Sequence, residues 1–215
     1  RRLRASVLLR LAKSNHLQEA LDDLRQLADS VADDYVQQSI IYERMTQMTE
    51  AIEAMQSAHR LSPDGERILE RLVDLLTQEK RYEEVLEILD HAPQTWRWLM
   101  RLADIHSLKE NYAEALANLN LAQTHLEEVF PDLLSPVSRN TMAQIHVARG
   151  QVQMKMDNLD AAETDYKDAL YHIPDDATIL FNLGLIYASP YIRQMLIDVL
   201  SNDNRYERLK DRLGV

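Results

Sequence analysis

Seven histidines are scattered along the chain, at 16, 59, 91, 106, 125, 146 and 172. Two histidines one helical turn apart, with an acid between them, would hold zinc and supply a general base. The nearest arrangement, His125-Leu126-Glu127-Glu128, lacks the second histidine and reads as a solvated helix end. Asp157-Asn158-Leu159-Asp160 and Asn202-Asp203-Asn204 resemble pieces of calcium loops, but both lack the full ligand spacing and the closing Glu, so they read as turns. The four glycines (65, 150, 184 and 214) stand alone, which leaves no glycine-rich phosphate loop. No serine sits in a nucleophile elbow. With no Cys in the chain, disulfides, a thiol nucleophile and thiolate zinc sites are excluded. The expectation is no catalytic residue, no metal, no cofactor and no enzyme. The remaining pattern is basic. Arg67/Arg71 and Arg97/Arg101 are i, i+4 pairs, so each pair shares one helix face. Guanidinium groups so placed suit carboxylates through bidentate hydrogen bonds. The opposing expectation is that Glu70, Asp74 and Asp104 neutralise them internally.

The chain has 215 residues and a formal charge of −11. That disfavours general nucleic-acid binding, which needs a cationic surface. Four Gly and six Pro are too few for an all-β chain of tight turns. No apolar run reaches the roughly 18 residues needed to span a bilayer. The opening Arg1-Arg2-Leu3-Arg4-Ala5-Ser6 has no apolar core of a signal peptide and reads as the start of a piece cut from a longer protein. The compartment is left open, with a slight lean to the cytoplasm.

One short pattern recurs and organises everything else. It reads His16-Leu17-Gln18-Glu19-Ala20, Gln47-Met48-Thr49-Glu50-Ala51, Arg81-Tyr82-Glu83-Glu84-Val85, Asn111-Tyr112-Ala113-Glu114-Ala115 and Asn158-Leu159-Asp160-Ala161-Ala162. A weaker copy is Arg205-Tyr206-Glu207-Arg208-Leu209. Each copy opens an apolar stripe of helical period, such as Leu159, Ala162, Tyr166, Ala169, and another stripe precedes it, such as Leu69, Leu72, Val73, Leu76. Each unit is therefore helix, short turn, helix. Pro63, Pro93, Pro131 and Pro174 mark unit ends, since proline cannot continue a helix. Asp64 and Asp175 or Asp176 are candidate caps for the helices that follow. The units are 1–31, 32–65, 66–95, 96–142, 143–176 and 177–215.

These units resemble tetratricopeptide repeats, whose usual period is 34 residues. The best copies, 32–65 and 143–176, are both 34 long. Gly150, Leu159, Ala162, Tyr166, Ala169 and Pro174 carry the second; Tyr35, Ser39, Tyr42, Ala51, Met55, Ala58 and Pro63 carry the first. Leu180 to Tyr187 is a strong copy of a first helix. Small residues are needed where two helices cross closely. The resemblance implies an all-α fold, a right-handed superhelix of about six helix pairs with extra C-terminal helices, in one domain. Unit 96–142 carries about 13 extra residues, placed in a second helix running to about Glu128 and an early helix start at Ser135-Pro136. Residues 190–213 leave the pattern. Tyr191, Met195, Leu196, Val199 and Leu200 supply an apolar stripe that would cap the stack; as a cut half-unit it would instead favour self-association through this end.

The resemblance also implies that first helices line a concave surface. The residues a partner would meet there include Arg67, Arg71, Arg97, Met100, Arg101, Gln144, Val147, Gln151, Phe181, Asn182 and Leu185, with Lys13, Asp104, Lys155 and Ser189 along the same faces. Some family members grip a Glu-Glu-Val-Asp chaperone tail through Lys and Asn on successive first helices. Only Asn182 occupies such a slot here, beside Val147 and Gln151, so that clamp is rejected. The acidic excess falls mainly in second helices, for example Glu83, Glu84, Glu87 and Asp160, Glu163, Asp165, Asp168. His106 and His146 fall on neighbouring first helices and could approach, with packing or an ordinary hydrogen bond as the expected role. Of Trp96 and Trp98, one is expected to pack between units. The expected function is a non-catalytic protein-interaction scaffold that docks a peptide segment or partner protein, acidic segments included, on its concave face. The alternative is a structural module joining catalytic, membrane or regulatory regions of a larger protein. No nucleic acid and no membrane insertion are expected.

Overall fold

A computed structural model describes residues 1–11, 14–133 and 135–188. The expected C-terminal cap, 190–213, lies outside these residues, as do Lys13 and Ser189. Among the described residues there are eleven helices and no strand. They are α1 (Arg2–Leu11), α2 (Ser14–Arg25), α3 (Ala32–Arg44), α4 (Met48–Leu61), α5 (Glu66–Gln78), α6 (Tyr82–Asp90), α7 (Trp96–Leu108), α8 (Tyr112–Val129), α9 (Pro136–Lys155), α10 (Leu159–His172) and α11 (Ala177–Tyr187). The chain forms two compact units, residues 1–88 and residues 89 onward.

The repeat is written in the backbone as well as in the side chains. Four turns between first and second helices have the same construction. Thr46, Lys80, Glu110 and Asp157 each take φ near +60°. The next N–H in each turn reaches back five residues: Gln47 to the Tyr42 carbonyl (2.9 Å), Arg81 to Leu76 (2.8 Å), Asn111 to His106 (2.8 Å) and Asn158 to Gln153 (2.9 Å). This is a Schellman ending, built here without glycine. Two caps follow the sequence expectation. Ser135 Oγ accepts from the Ser138 N–H at 2.9 Å, with Pro136 in the first turn of α9. Asp176 Oδ1 accepts from the N–H groups of Thr178 and Ile179 at the start of α11. Asp64 does not cap α5; Gly65 holds that position, without a side-chain bond.

In the first unit, α1 packs on α2, α2 on α3, α3 on α4 and α4 on α5, and α1 also touches α3. Its core gathers Ala5, Leu17, Ala20, Leu21, Leu24, Ile41, Tyr42 and Ala51. In the second unit, α7 packs on α8, α8 on α9, α9 on α10 and α10 on α11, and α7 also touches α9. Here one cluster holds Leu99, Ala103, Ala115, Leu119, Leu126, Met142 and Ile145, and another holds Ala143, Ala162, Tyr166, Ala169, Ile179 and Leu183. First helices thus meet one another, α1 with α3 in the first unit and α7 with α9 in the second.

Gly150 shows why a small residue is required. A Cβ built there would sit 3.0 Å from Cε1 and Cζ of the Tyr166 ring. Tyr166 is fully buried, so the ring has little room to retreat. α8 runs to Val129 and α9 has 20 residues, so the extra length of this region is helical, about 30 Å along α9 at 1.5 Å per residue.

Candidate functional site

The candidate residues divide between the two units. Arg67 and Arg71 lie exposed on α5 of the first. Arg71 is paired with Glu43 of α3, an acid on the preceding first helix rather than one of the three neutralising acids expected. The others stand on α7, α9 and α11 of the second unit.

On α7, Arg97 is exposed, with its guanidinium 5.2 Å above the Trp96 ring. Met100 is half-buried and packs against the core shared by α7, α8 and α9. Arg101 is half-buried, and both arginines already have partners within the protein. On α9, Gln144 is exposed, while Val147 and Gln151 are half-buried. On α11, Phe181 is half-buried, but Asn182 and Leu185 are only 3% and 6% exposed. Those two are therefore part of the packing rather than of an open face, and among the described residues the Asn182 Nδ2 has no hydrogen-bond partner. Trp98 is buried and Trp96 half-buried.

Contact between α7 and α9 brings together a polar group on this face. Lys155 Nζ, at the end of α9, donates to Ser107 Oγ of α7 at 3.2 Å. Asp104 lies one turn before Ser107 and one turn after Arg101. It is open to solvent yet crowded by protein. That desolvation pushes its carboxyl up to about 6, against the pull of Arg101 and Lys155. Because water still reaches the group, the carboxylate is crowded rather than sealed in.

A second polar cluster lies between α8, α9 and α10. Arg149 Nε donates to Asp165 Oδ1 at 2.6 Å. Its Nη1 donates to Asn120 Oδ1 (3.1 Å) and Gln123 Oε1 (2.8 Å), and its Nη2 lies 3.0 Å from His146 Nδ1. His146 stacks on His172, with ring centroids 5.8 Å apart, and Tyr171 meets His172 edge-on. Burial first, then the His146 charge, holds His172 below the usual imidazole value. Asp165 and His146 are buried. Donor atoms of His146, Asp165 and Asp168 lie within 4.8 Å of one another, near enough to hold a metal ion. The Arg149 guanidinium, however, already bonds Asp165 and His146 there, so the resident cation is an arginine. Beside this cluster, Asp132, Leu133, Arg139, Tyr171 and His172 line an open cleft of about 370 Å³.

His146 thus meets His172, where the sequence reading paired it with His106. The signal was available: His146 lies four residues before Gly150, on the face that crosses α10. Arg149 and Asp165 were missed as a pair, although each immediately precedes a member of the Gly150/Tyr166 crossing.

Comparison with known proteins agrees with this geometry. The tetratricopeptide repeat family matches residues 143–176, which span α9 from Ala143 through α10. The general transcriptional corepressor trfA of Dictyostelium discoideum is 27% identical over 137 residues, 61% of this chain and 9% of its own length. The chain thus spans only about a tenth of that relative. Among solved structures, MamA MSR-1 superposes with a TM-score of 0.52 at 16% identity, covering 79% of this chain and 94% of that one. BtubC from P. vanneervenii gives 0.52 at 16% identity, covering 74% and 71%. Residues 143–176 match the tetratricopeptide repeat, and the chain shares the all-helical repeat fold of these structures. This fold is one that serves generally as a protein-interaction scaffold. No described helix is long and apolar enough to cross a membrane.

Proposed function

We propose that the chain is a non-catalytic scaffold whose second unit docks a segment of another protein on its α7/α9 face, and that acidic segments are favoured there. The observation that carries this reading is a charge division between layers. Of the bases on α7 and α9, Arg149 is engaged with α8 and α10 and Arg139 lies beside His172, which leaves Arg97, Arg101 and Lys155 against a single acid, Asp104. α8 and α10, the alternating layer, carry seven acids and one base, Lys167. The whole chain has a charge of −11, so this is a local reversal. Electrostatic complementarity of this kind selects partners and steers them. Met100, Val147 and Phe181 supply apolar anchors, and Gln144 and Gln151 supply amides that can bond a partner backbone. Arg97 and Arg101 have partners already, so a partner carboxylate would join an existing network.

The experiment is binding of labelled apolar–acidic peptides to the intact chain, with Val147→Asp and the pair Arg101→Glu with Lys155→Glu as variants. Both should lose binding while keeping helical circular dichroism. If both bind normally, the face is not the docking surface.

A further inference from the structure

The two longest described helices, α8 and α9, have 18 and 20 residues and are joined by residues 130–135. That connection and the end of α10 line the open cleft of about 370 Å³. Asp132 and Leu133 come from the connection, Arg139 from the first turn of α9, and Tyr171 and His172 from the last turn of α10. One wall is held from behind. His172 stacks on the buried His146, whose Nδ1 lies 3.0 Å from Nη2 of Arg149. Tyr171 meets His172 edge-on at 5.3 Å, yet is 85% exposed. An open aromatic ring on a fixed neighbour is the kind of group that carries binding energy at an interface. Val129, Phe130 and Val137, at the ends of the same connection, are exposed as well. Apolar surface gathered beside polar groups marks interaction sites.

The charges of the cleft are opposite and open to solvent. Asp132 and Arg139 are both exposed, and among the described residues neither forms an ion pair, with the other or with a third group. His172, held below the usual imidazole value, adds no charge at pH 7.5. An acid and a base that share a cleft without closing on each other suit a ligand that brings one charge for each. We infer that this cleft is a second docking site, for a partner-protein segment in which an apolar residue is flanked by an acid on one side and a base on the other. It shares no residue with the α7/α9 face and stands whether or not that face docks acidic segments. The partner carboxylate accepts paired hydrogen bonds from the Arg139 guanidinium. The partner cation lies on Asp132, and the apolar side chain lies between Leu133 and the Tyr171 ring. Exposed ion pairs add little affinity each, so the aromatic contact supplies most of the binding. The two charges supply choice, because a like charge at either position is repelled.

The test uses the full chain at pH 7.5 and fluorescent, blocked pentapeptides. Two are mixed, Glu-Gly-Leu-Gly-Lys and its reverse order, Lys-Gly-Leu-Gly-Glu. Two are like-charged, Glu-Gly-Leu-Gly-Glu and Lys-Gly-Leu-Gly-Lys. The parent should bind one mixed peptide about fivefold tighter than either like-charged one. Arg139→Glu should move the preference to the Lys-only peptide, and Asp132→Lys should move it to the Glu-only peptide. Tyr171→Ala should weaken binding of the mixed peptide about tenfold. All three side chains are exposed, so the variants should keep the parent's circular dichroism and melting temperature. Arg101→Glu with Lys155→Glu should leave mixed-peptide binding unchanged, which separates this cleft from the α7/α9 face. Equal binding of all four peptides, or a preference that neither charge substitution moves, overturns the inference. So does a parent that binds none of them, or binding that Tyr171→Ala leaves intact. Self-association of the parent that Tyr171→Ala abolishes would make the occupant a second copy of the chain and overturn it as well.

Discussion

The first helices of the two units use their charges differently. In the first unit, α1, α3 and α5 carry six bases and six acids. Several of these close on one another. Arg2 Nε bonds both oxygens of Asp34, at 2.9 and 3.0 Å, and Arg71 pairs with Glu43. Ser6 donates to Gln37, and Arg44 donates to the Leu9 carbonyl. Asp34 is almost wholly buried. Burial works to raise its carboxyl, but the Arg2 hydrogen bond, the Val31 N–H and the Arg2 charge outweigh it and hold the group below the usual range. In the second unit, α7 and α9 carry five bases and one acid. Arg149 is turned inward, to tie α8 and α10 together, and Arg139 lies beside Tyr171 and His172 of α10. The contrast teaches that one repeat pattern can close its first-helix layer by pairing charges across it or leave that layer biased to one sign. The biased layer is where a partner of opposite charge is to be sought.

The largest expected effect comes from the inward-turned arginine. Arg149→Ala leaves Asp165 buried without its cation, so the second unit should lose about 3–5 kcal/mol in urea unfolding. Arg2→Ala in the first unit should cost less, because Asp34 keeps the Val31 N–H. Equal losses would erase the distinction between the two networks.

The two regular repeats sharpen the comparison at their helix crossings. Gly150 and Tyr166 stand at the offsets where Ser39 and Met55 stand in 32–65, and Ser39, Tyr166 and Met55 are all fully buried. A larger residue on one helix goes with a slimmer one on the other. Gly150→Ser should cost about 1–3 kcal/mol through contact with the Tyr166 ring. Adding Tyr166→Met should recover about 1 kcal/mol beyond additivity in a double-mutant cycle. Additive costs would show that the crossing is not what selects glycine.

Titration separates the units further. His172 is held below its ordinary value, so its neutral form is favoured by folding. Stability from that group is present above about pH 6.5 and is lost as the pH falls below it. Asp104 acts in the opposite sense: its raised value, about 6, favours the protonated form in the folded chain, so acidification through that range adds stability. Asp34, held low, keeps its contribution until the pH falls below about 3.9 and then loses it through the depressed value. Unfolding curves between pH 8 and 4 should lose the fall below 6.5 in His172→Gln. The opposing gain should vanish in Asp104→Asn.

The smallest effect belongs to the turns. Thr46 and Lys80 are exposed and hold φ near +60° without glycine. Thr46→Gly or Lys80→Gly should raise stability by about 0.5–1 kcal/mol. A loss would mean that these side chains support their turns.

Helix pairs, their lengths and two of the caps could be read from the sequence, because apolar stripes, prolines and cap residues are local signals. The four left-handed turns were not legible as such, since Thr, Lys, Glu and Asp occupy positions that glycine usually marks. Nor were the ion pairs. Arg71 finds Glu43 28 residues away, and Arg149 finds Asp165 on the next helix, so both depend on helix rotation within the stack. The burial of Asn182 and Leu185 was missed for the same reason: a helical stripe gives spacing, whereas its absolute orientation comes from the neighbours.

We assign docking to the basic first-helix layer of the second unit, α7 and α9, and affinity for a blocked acidic peptide, Glu-Glu-Leu-Glu-Glu-Leu, in two charge-reversed proteins checks that assignment. One carries Arg101→Glu with Lys155→Glu on α7 and α9; the other carries Arg67→Glu with Arg71→Glu on α5. The first variant should lose binding and the second should retain it. Loss in the second with retention in the first would contradict it.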